Sequence, residues 1–226
     1  RGDPKNNLST SQFALLGLHA ASRRGAAVPR ETWENAMDYL LKGQTMTRDY
    51  MGGWGYREKD HKHYPGGSEP YGSMTAVGVA SVEICRRHLA ADKKRIKEAD
   101  RAVERGLNWL GECLSLEKNP NVEKTWKGKG DAFCLYYYFY GLERACVFAG
   151  RERMGQQDWY PKICRRLVET QKDQGSWKSS TQPRFEAEPV ATAFALLFLK
   201  RSSGSLARYT VGEALPPQDK GPGSRD

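Results

Sequence analysis

The sequence predicts an all-α protein built as a stack of helical hairpins, with about seven helices. The first observation is an internal repeat: residues 13–18 (FALLGL) recur as residues 194–199 (FALLFL), with five of six positions identical. The second is a regular step along the chain, since two weaker copies lie between these segments. The aligned positions, which are 61, 63 and 57 residues apart, are Gly17, Gly78, Gly141 and Phe198. A near-constant step is typical of helical repeat proteins.

Three amphipathic helices are predicted between the four helices that contain these copies. Trp33, Ala36 and Tyr39 recur every three residues, which places them on one helix face. Residues 103–110 and 160–168 repeat this spacing. The predicted helices span residues 9–24, 30–43, 73–89, 94–115, 131–149, 158–172 and 188–201. We expect the first, third, fifth and seventh in an inner layer and the others in an outer layer, with essentially no strand.

Local signals set the ends of the domain and of two helices. Ser9 and Gln12 have the spacing of a capping box, so they are predicted to begin the first helix. Asp131 follows a glycine and is predicted to begin the fifth. The helical repeat domain is predicted to cover residues 1–201, and the Pro- and Gly-containing residues 202–226 are predicted to be a disordered tail.

The chain is basic, with a formal net charge of +9 from 36 Lys and Arg against 27 Asp and Glu. Its largest basic cluster, residues 86–97, includes Asp92 and is followed by Glu98 and Asp100, which is typical of a solvated surface. Without a recognition helix, RNA-binding motif or zinc-finger spacing, no nucleic-acid partner is expected. No run of 18 apolar residues and no signal peptide are visible in this segment, so no transmembrane segment is expected and the compartment is left open.

A Gln-Gly-Trp signature follows two of the predicted outer helices. Its members are Gln44, Gly53 and Trp54 after the first outer helix and Gln171, Gly175 and Trp177 after the third. A glutamine at a helix end can bond exposed backbone groups, glycine allows a tight turn, and tryptophan covers apolar surface. We therefore predict a structural role for all six residues, with both tryptophans buried at repeat junctions.

Together, the signature and the step of about 60 residues resemble the prenyltransferase and squalene-cyclase repeat family, over about residues 8–200. The second repeat departs from the pattern, because residues 116–121 contain neither Gln nor Trp. The resemblance implies an α/α toroid whose inner helices line a central cavity. A closed toroid of that family takes about six hairpins and this chain provides about three and a half, which implies an open arc or part of a larger toroid.

The catalytic motifs of the resembled family are missing. The Asp-x-Asp-Asp motif of terpenoid cyclases does not occur, and neither does the Asp-Asp-x-x-Asp motif of ionising terpene synthases. Protein prenyltransferases bind zinc through Asp, Cys and His, and the nearest match is Asp131 with Cys134. Their spacing is three instead of two, and no His follows His88. His61 and His63 alternate in a loop, but two ligands are too few for structural zinc. The sequence predicts no metal and no cofactor.

Five consecutive aromatic residues, 136–140, cover all sides of one helix, so this helix is predicted to be buried nearly all round. Core packing is one interpretation. The other is that some of the tyrosines line a cavity for an apolar or carbohydrate ligand. Such a site would lie where the N-terminal ends of the inner helices meet the Gly-rich linkers. The candidate ligand-binding residues are Asp131, Phe133, Tyr137, Tyr138, Tyr56, Glu69 and Glu186.

A strong repeat without a catalytic motif favours a binding or scaffolding module. Its partner would be an apolar or isoprenoid-like ligand, or a protein on the concave face. One alternative is a fragment of an isoprenoid cyclase or prenyltransferase whose catalytic residues lie outside this chain. Another is a carbohydrate-active α/α-toroid enzyme, which needs two carboxylates about 5–10 Å apart. The candidates for those carboxylates are Glu69, Asp131, Glu186 and Glu188.

Overall fold

The computed structural model describes residues 7–57, 67–154, 156–179 and 185–200. The predicted disordered tail and the loop histidines, His61 and His63, lie outside the described residues. The described chain forms eight helices and one two-stranded sheet. These elements are α1 (Leu8–Ser22), α2 (Arg30–Gly43), β1 (Gln44–Arg48), β2 (Met51–Trp54), α3 (Gly72–His88), α4 (Lys93–Glu112), α5 (Val122–Thr125), α6 (Leu135–Ala149), α7 (Trp159–Thr170) and α8 (Glu188–Leu199).

Four helices form a row through the molecule, in the order predicted for the inner layer. Helix α3 contacts both α1 and α6, and α6 also contacts α8. Helices α2 and α4 pack against α3 as members of the other layer. Every residue of α3 from Gly72 to Cys85 is buried, and α6 is buried on nearly all sides, as its aromatic run predicts. The described chain is therefore mostly helical, with two layers of helices.

The outer helices are amphipathic because only one of their faces meets the inner row. Helix α4 buries Ala99, Val103 and Leu110 at helical spacing and leaves its charged residues in water. Its N-terminus is capped by Asp92, whose carboxylate accepts a hydrogen bond from the Arg95 amide at 3.1 Å.

The prediction of essentially no strand is wrong for residues 44–54. Strands β1 and β2 form an antiparallel hairpin in which Gln44 lies opposite Trp54. All four residues of β2 are buried, so this strand lacks the alternation of apolar and polar residues that marks a half-buried strand. Gly53 permits this burial, because a Cβ there would lie 2.6 Å from the Thr75 hydroxyl oxygen.

Two helix starts also differ from the prediction. The N-cap of α1 is Asn7, whose side chain accepts a hydrogen bond from the Thr10 amide at 2.9 Å. The predicted Ser9 and Gln12 capping box is therefore wrong. Helix α6 begins at residue 135 and not at Asp131, because Cys134 has a left-handed φ of 56° that interrupts the helical path.

Both signature tryptophans are buried, as predicted, and their contacts repeat. The Trp54 indole N–H donates to the Leu40 carbonyl at 2.8 Å, and its amide donates to the Thr75 hydroxyl at 3.2 Å. The Trp177 indole and amide donate to the Leu167 carbonyl at 2.8 Å and the Thr192 hydroxyl at 3.0 Å.

These matching junctions correct the sequence alignment of the last repeat. Since Thr75 and Thr192 receive equivalent bonds, the counterpart of Gly78 in α8 is Ala195 and not Phe198. The error is three residues, or nearly one helical turn.

The two signature glutamines behave differently. The Gln44 side chain donates to the Ala102 carbonyl of α4 at 2.9 Å, which links one hairpin to the next, as predicted. The Gln171 side chain donates to the Gly175 carbonyl at 2.9 Å, within its own turn. Gly175 has a φ of 82°, in the region that favours glycine.

The helices at the two ends of the row each keep an exposed apolar face. Opposite the buried residues of α1 lies the α1 end face, formed by the exposed Thr10, Ala14, Gly17 and Ala20. On α8 the corresponding α8 end face is formed by the exposed Val190, Ala193, Leu196 and Leu197. Neither these helices nor any other described helix combines the length and the apolar character needed to cross a lipid bilayer.

Candidate functional site

Tyr137 is the residue at which α1, α6 and α8 meet. Its ring lies 6.3 Å from that of Phe13 on α1 and 5.3 Å from that of Phe194 on α8, measured between centroids. Tyr140, three residues further along α6, also contacts Phe194, with the two ring centroids 5.3 Å apart. We call these four residues the concave cluster, after the concave face predicted from the sequence. Phe13 is 49 % exposed, so the cluster is open to solvent on the α1 side.

The Tyr137 hydroxyl is held by two side chains of α1. It donates to the Gln12 carbonyl oxygen at 3.0 Å and lies 3.0 Å from the Ser9 hydroxyl. Burial raises the pKa of Tyr137 well above its usual value, so this hydroxyl stays protonated at neutral pH. The sequence interpretation missed this role of Ser9 and Gln12, because it assigned both to a capping box. The side-chain groups that join Tyr137 to α1 are therefore all uncharged.

Glu186 lies at the N-terminus of α6. Its carboxylate accepts a hydrogen bond from the Tyr137 amide at 2.8 Å, and the amides of Tyr136 and Leu135 also face it. Burial raises the pKa of Glu186, while these backbone N–H groups and Ser179 oppose the shift by stabilising the charged form. The geometry makes Glu186 a cap for α6.

Helix α3 is capped in the same way by Asn119. Its side-chain oxygen accepts a hydrogen bond from the Ser73 amide at 2.8 Å, and its side-chain nitrogen donates to the Ser73 hydroxyl and to the Phe133 carbonyl. Asn119 is fully buried. Each of these inner helices is thus completed by a side chain from the linker that follows its hairpin partner.

A second aromatic group covers the N-terminal ends of the inner helices. Trp126 lies 5.1 Å from Tyr56 and 5.6 Å from Phe133, and Phe133 lies 5.2 Å from Phe185. The Trp126 indole donates to the Tyr71 hydroxyl at 3.2 Å. The linkers do bring Tyr56 and Phe133 together, as expected for the candidate site. Trp126, which joins them, was missed because it belongs to the repeat that lacks the Gln-Gly-Trp signature.

Three other predicted site residues lie apart from the concave cluster. Tyr138 is fully buried against α3, where a Cβ on Gly72 would lie 2.8 Å from its ring. Asp131 is exposed and pairs with Lys118 at 2.9 Å. Glu69 is exposed on a linker. Of the seven predicted site residues, the structure therefore brings two pairs together. Glu186 is bonded to the Tyr137 amide, and Tyr56 and Phe133 both contact Trp126.

The carboxylates considered for glycoside hydrolysis are mostly engaged elsewhere. Glu188 pairs with Lys172 at 2.8 Å and is bonded by the Ser176 hydroxyl. Asp131 pairs with Lys118, and Glu186 caps α6. These partners hold the pKa of Glu188 and that of Asp131 below their usual values.

Asp131 and Cys134 do not form a metal site in the described structure. Burial raises the pKa of Cys134 to about 12, so its thiol is protonated at neutral pH. Across the described ranges, no group of three His, Cys, Asp or Glu side chains is close enough to hold a metal ion.

A histidine pair joins the C-terminal halves of α1 and α3. The ring nitrogens of His19 and His88 lie 3.0 Å apart, and Trp33 stacks on His88 with ring centroids 3.8 Å apart. Burial, His88 and the nearby Arg87 lower the pKa of His19 to about 4. Two ligands in a basic environment are a poor metal site, and the pair is neutral at physiological pH.

Comparisons of this chain with protein-family models, with curated proteins and with solved structures found no match in any of the three.

Proposed function

We propose that this chain is a binding module on a squalene-cyclase/prenyltransferase-like helical repeat scaffold, without a catalytic motif of its own. Its ligand is apolar or isoprenoid-like and lies against the concave cluster. The observation that carries this proposal is the convergence of Phe13, Tyr137 and Phe194 from three helices on one partly open aromatic surface.

The chemistry of this surface supports binding more than catalysis. Aromatic rings offer large apolar area and can stabilise unsaturated or cationic groups. Two charged side chains lie close to the cluster. Glu186 is bonded to the backbone of α6, and the Arg144 guanidinium lies over the Tyr140 ring, 5.7 Å from its centroid. The Tyr137 hydroxyl is bonded to α1 and stays protonated at neutral pH, so it does not supply a general base.

The proposal is tested by titrating the protein with farnesol and with squalene in dilute detergent, followed by calorimetry or native mass spectrometry. Phe13→Ala removes a half-exposed ring and should weaken binding about 5- to 30-fold, equivalent to about 1–2 kcal/mol. Tyr50→Ala is the matched control, because Tyr50 is 50 % exposed but lies beyond β1, away from the cluster. Its affinity should equal that of the unmodified chain.

Three results would contradict the proposal. If neither compound binds, or if Phe13→Ala and Tyr50→Ala bind equally well, the concave cluster is not the site. Turnover of squalene or of a prenyl diphosphate by the chain alone would refute the absence of catalysis.

A further inference from the structure

The concave cluster is bordered on one side by a cation. Arg144 follows Tyr140 by four residues and Tyr137 by seven along α6, which places the three side chains on one face of the helix. The Arg144 guanidinium lies over the Tyr140 ring, 5.7 Å from its centroid, and the Arg144 side chain is 29 % exposed. A ligand that lies along the rings can therefore extend to this guanidinium.

One neighbouring side chain holds the Arg144 guanidinium. The Arg144 Nε donates to the Glu143 carboxylate, which is buried. Among the residues that the structure describes, none bonds to the two terminal nitrogens of Arg144, Nη1 and Nη2. The paired N–H groups at this end of a guanidinium match the two oxygens of a carboxylate. Arg144 is thus fixed through Nε and keeps its bidentate end for another partner.

The two charged groups beside the cluster lie at opposite ends of it. Glu186 is at the N-terminal end of α6, where it is bonded to the Tyr137 amide. Arg144 is seven residues beyond Tyr137, which corresponds to about 10 Å along the helix axis. An anionic ligand group would therefore be attracted to the Arg144 end and repelled from the Glu186 end.

Further cations lie beyond Arg144, at the C-terminal ends of the inner helices. The Arg87 guanidinium lies over the Phe148 ring, 5.0 Å from its centroid, and the Phe148 ring also contacts that of His19. Burial lowers the pKa of His19 to about 4, with contributions from His88, Arg87 and Arg23. The charged side chains that shift this pKa are cations, so the electrostatic potential at this end favours an anion.

The size of the available charge indicates which kind of anion fits. A phosphate monoester carries a charge of about −2 at neutral pH and presents three strong acceptor oxygens. Arg144 offers one pair of terminal N–H groups, and its own charge is partly balanced by Glu143. A carboxylate, with one negative charge and two oxygens, matches this single pair.

We propose that the ligand of the concave cluster ends in a carboxylate, which binds the terminal nitrogens of Arg144. Its apolar chain lies against the rings of Tyr140, Phe194 and Tyr137. The ligand class is thus a long-chain or isoprenoid carboxylic acid. This inference rests on the proposed function, because it adds a head group to the apolar ligand assigned to the same surface.

The test compares three ligands with the same isoprenoid chain: farnesoic acid, its methyl ester and farnesol. At a pH of about 7.5 the acid is ionised, so the unmodified chain should bind it about 10-fold more tightly than either neutral ligand. Arg144→Gln should reduce this ratio to about 1 and leave the affinity for farnesol within about 2-fold of its original value. Comparing the ratio between proteins cancels any difference in how the ligands partition into detergent.

Arg166→Gln is the matched control. Arg166 lies on α7, its side chain is 30 % exposed and it pairs with Glu117, so it resembles Arg144 in exposure and in its glutamate partner. This variant should keep the ratio of the unmodified chain. If Arg144→Gln does not fold, as judged by circular dichroism, Arg144→Lys tests the same contact. It keeps a cation beside Glu143 but lacks the paired N–H groups, so it should lower the ratio to about 3 or less.

The outcomes separate this inference from the proposed function. If the unmodified chain binds farnesol but binds farnesoic acid no better than its methyl ester, the carboxylate head group is wrong and the proposed function stands. A ratio that survives both Arg144 variants would overturn the role of Arg144. Tighter binding of farnesyl diphosphate than of farnesoic acid would overturn the choice of a single negative charge. If none of these ligands binds, the proposed function fails, and this inference fails with it.

Discussion

Trp54→Ala should be among the most destabilising substitutions in this chain. The Trp54 ring is 1 % exposed and fits against two glycines, since a Cβ would lie 2.3 Å from it at Gly78 and 2.9 Å from it at Gly106. Truncating a fully buried tryptophan costs about 3–5 kcal/mol. Losing the indole bond to the Leu40 carbonyl adds about 1 kcal/mol. We therefore expect the free energy of unfolding to fall by about 4–6 kcal/mol.

The assay is equilibrium unfolding in urea, followed by far-UV circular dichroism, which does not depend on the removed fluorophore. Trp54→Phe keeps most of the apolar contact and loses the hydrogen bond, so it should cost less and supplies a measurable value if Trp54→Ala does not fold. Tyr50→Ala, at a half-exposed position, should change the free energy of unfolding by less than about 0.5 kcal/mol. A loss below about 1 kcal/mol for Trp54→Ala would show that the junction is not a packing element.

Three further predictions concern other parts of the chain. The free energy of unfolding should fall as the pH drops from about 6.5 to about 4, because the folded pKa of His19 lies below its unfolded value and protonation then favours unfolding. The urea midpoints of the unmodified chain and of His19→Gln should therefore converge within that pH window and not above it. Asn119→Ala should lower the free energy of unfolding in urea by about 2–3 kcal/mol, because it leaves the buried Ser73 amide and Phe133 carbonyl without partners. A loss of stability smaller than that caused by Ser115→Ala would contradict the role of Asn119 as a cap. Elemental analysis should find no stoichiometric zinc, and one zinc per chain that Cys134→Ser removes would overturn this.

The layer order could be predicted because apolar residues and small residues recur at helical spacing in every repeat. The same pattern could not reveal the β1–β2 hairpin. Met51 and Trp54 are both buried, as are the two glycines between them, so the strand lacks alternation and consists half of glycine, which is depleted in strands.

The alignment error at the last repeat has a related cause. Residues 194–199 match residues 13–18 by identity, yet the Thr192 junction places α8 three residues away from that alignment. A shift of three residues nearly preserves which side chains share a helix face, so sequence similarity alone cannot distinguish the two registers.

Part of the candidate site was also accessible from the sequence. Tyr137 and Glu186 could be predicted, since an aromatic run and a linker acid are conspicuous in the chain. The bonds of Tyr137 to Ser9 and Gln12 could not, because they join residues 128 and 125 positions apart. Tyr138 was grouped with Tyr137 because they are neighbours, but adjacent helical residues point about 100° apart, and Tyr138 faces α3.

The capping of α3 and α6 from a later linker has a consequence for how the chain is made. Asn119 follows the Ser73 amide that it caps by 46 residues, and Glu186 follows the Tyr137 amide by 49 residues. On the ribosome, the first turn of each of these helices is therefore completed only after its hairpin partner and most of the following linker have been made. Because the chain is made from its N-terminus, α3 is capped when Asn119 emerges, and α6 is capped later, when Glu186 emerges. Until then, the apolar surface of each newly made helix is covered only by the helix that precedes it in the row.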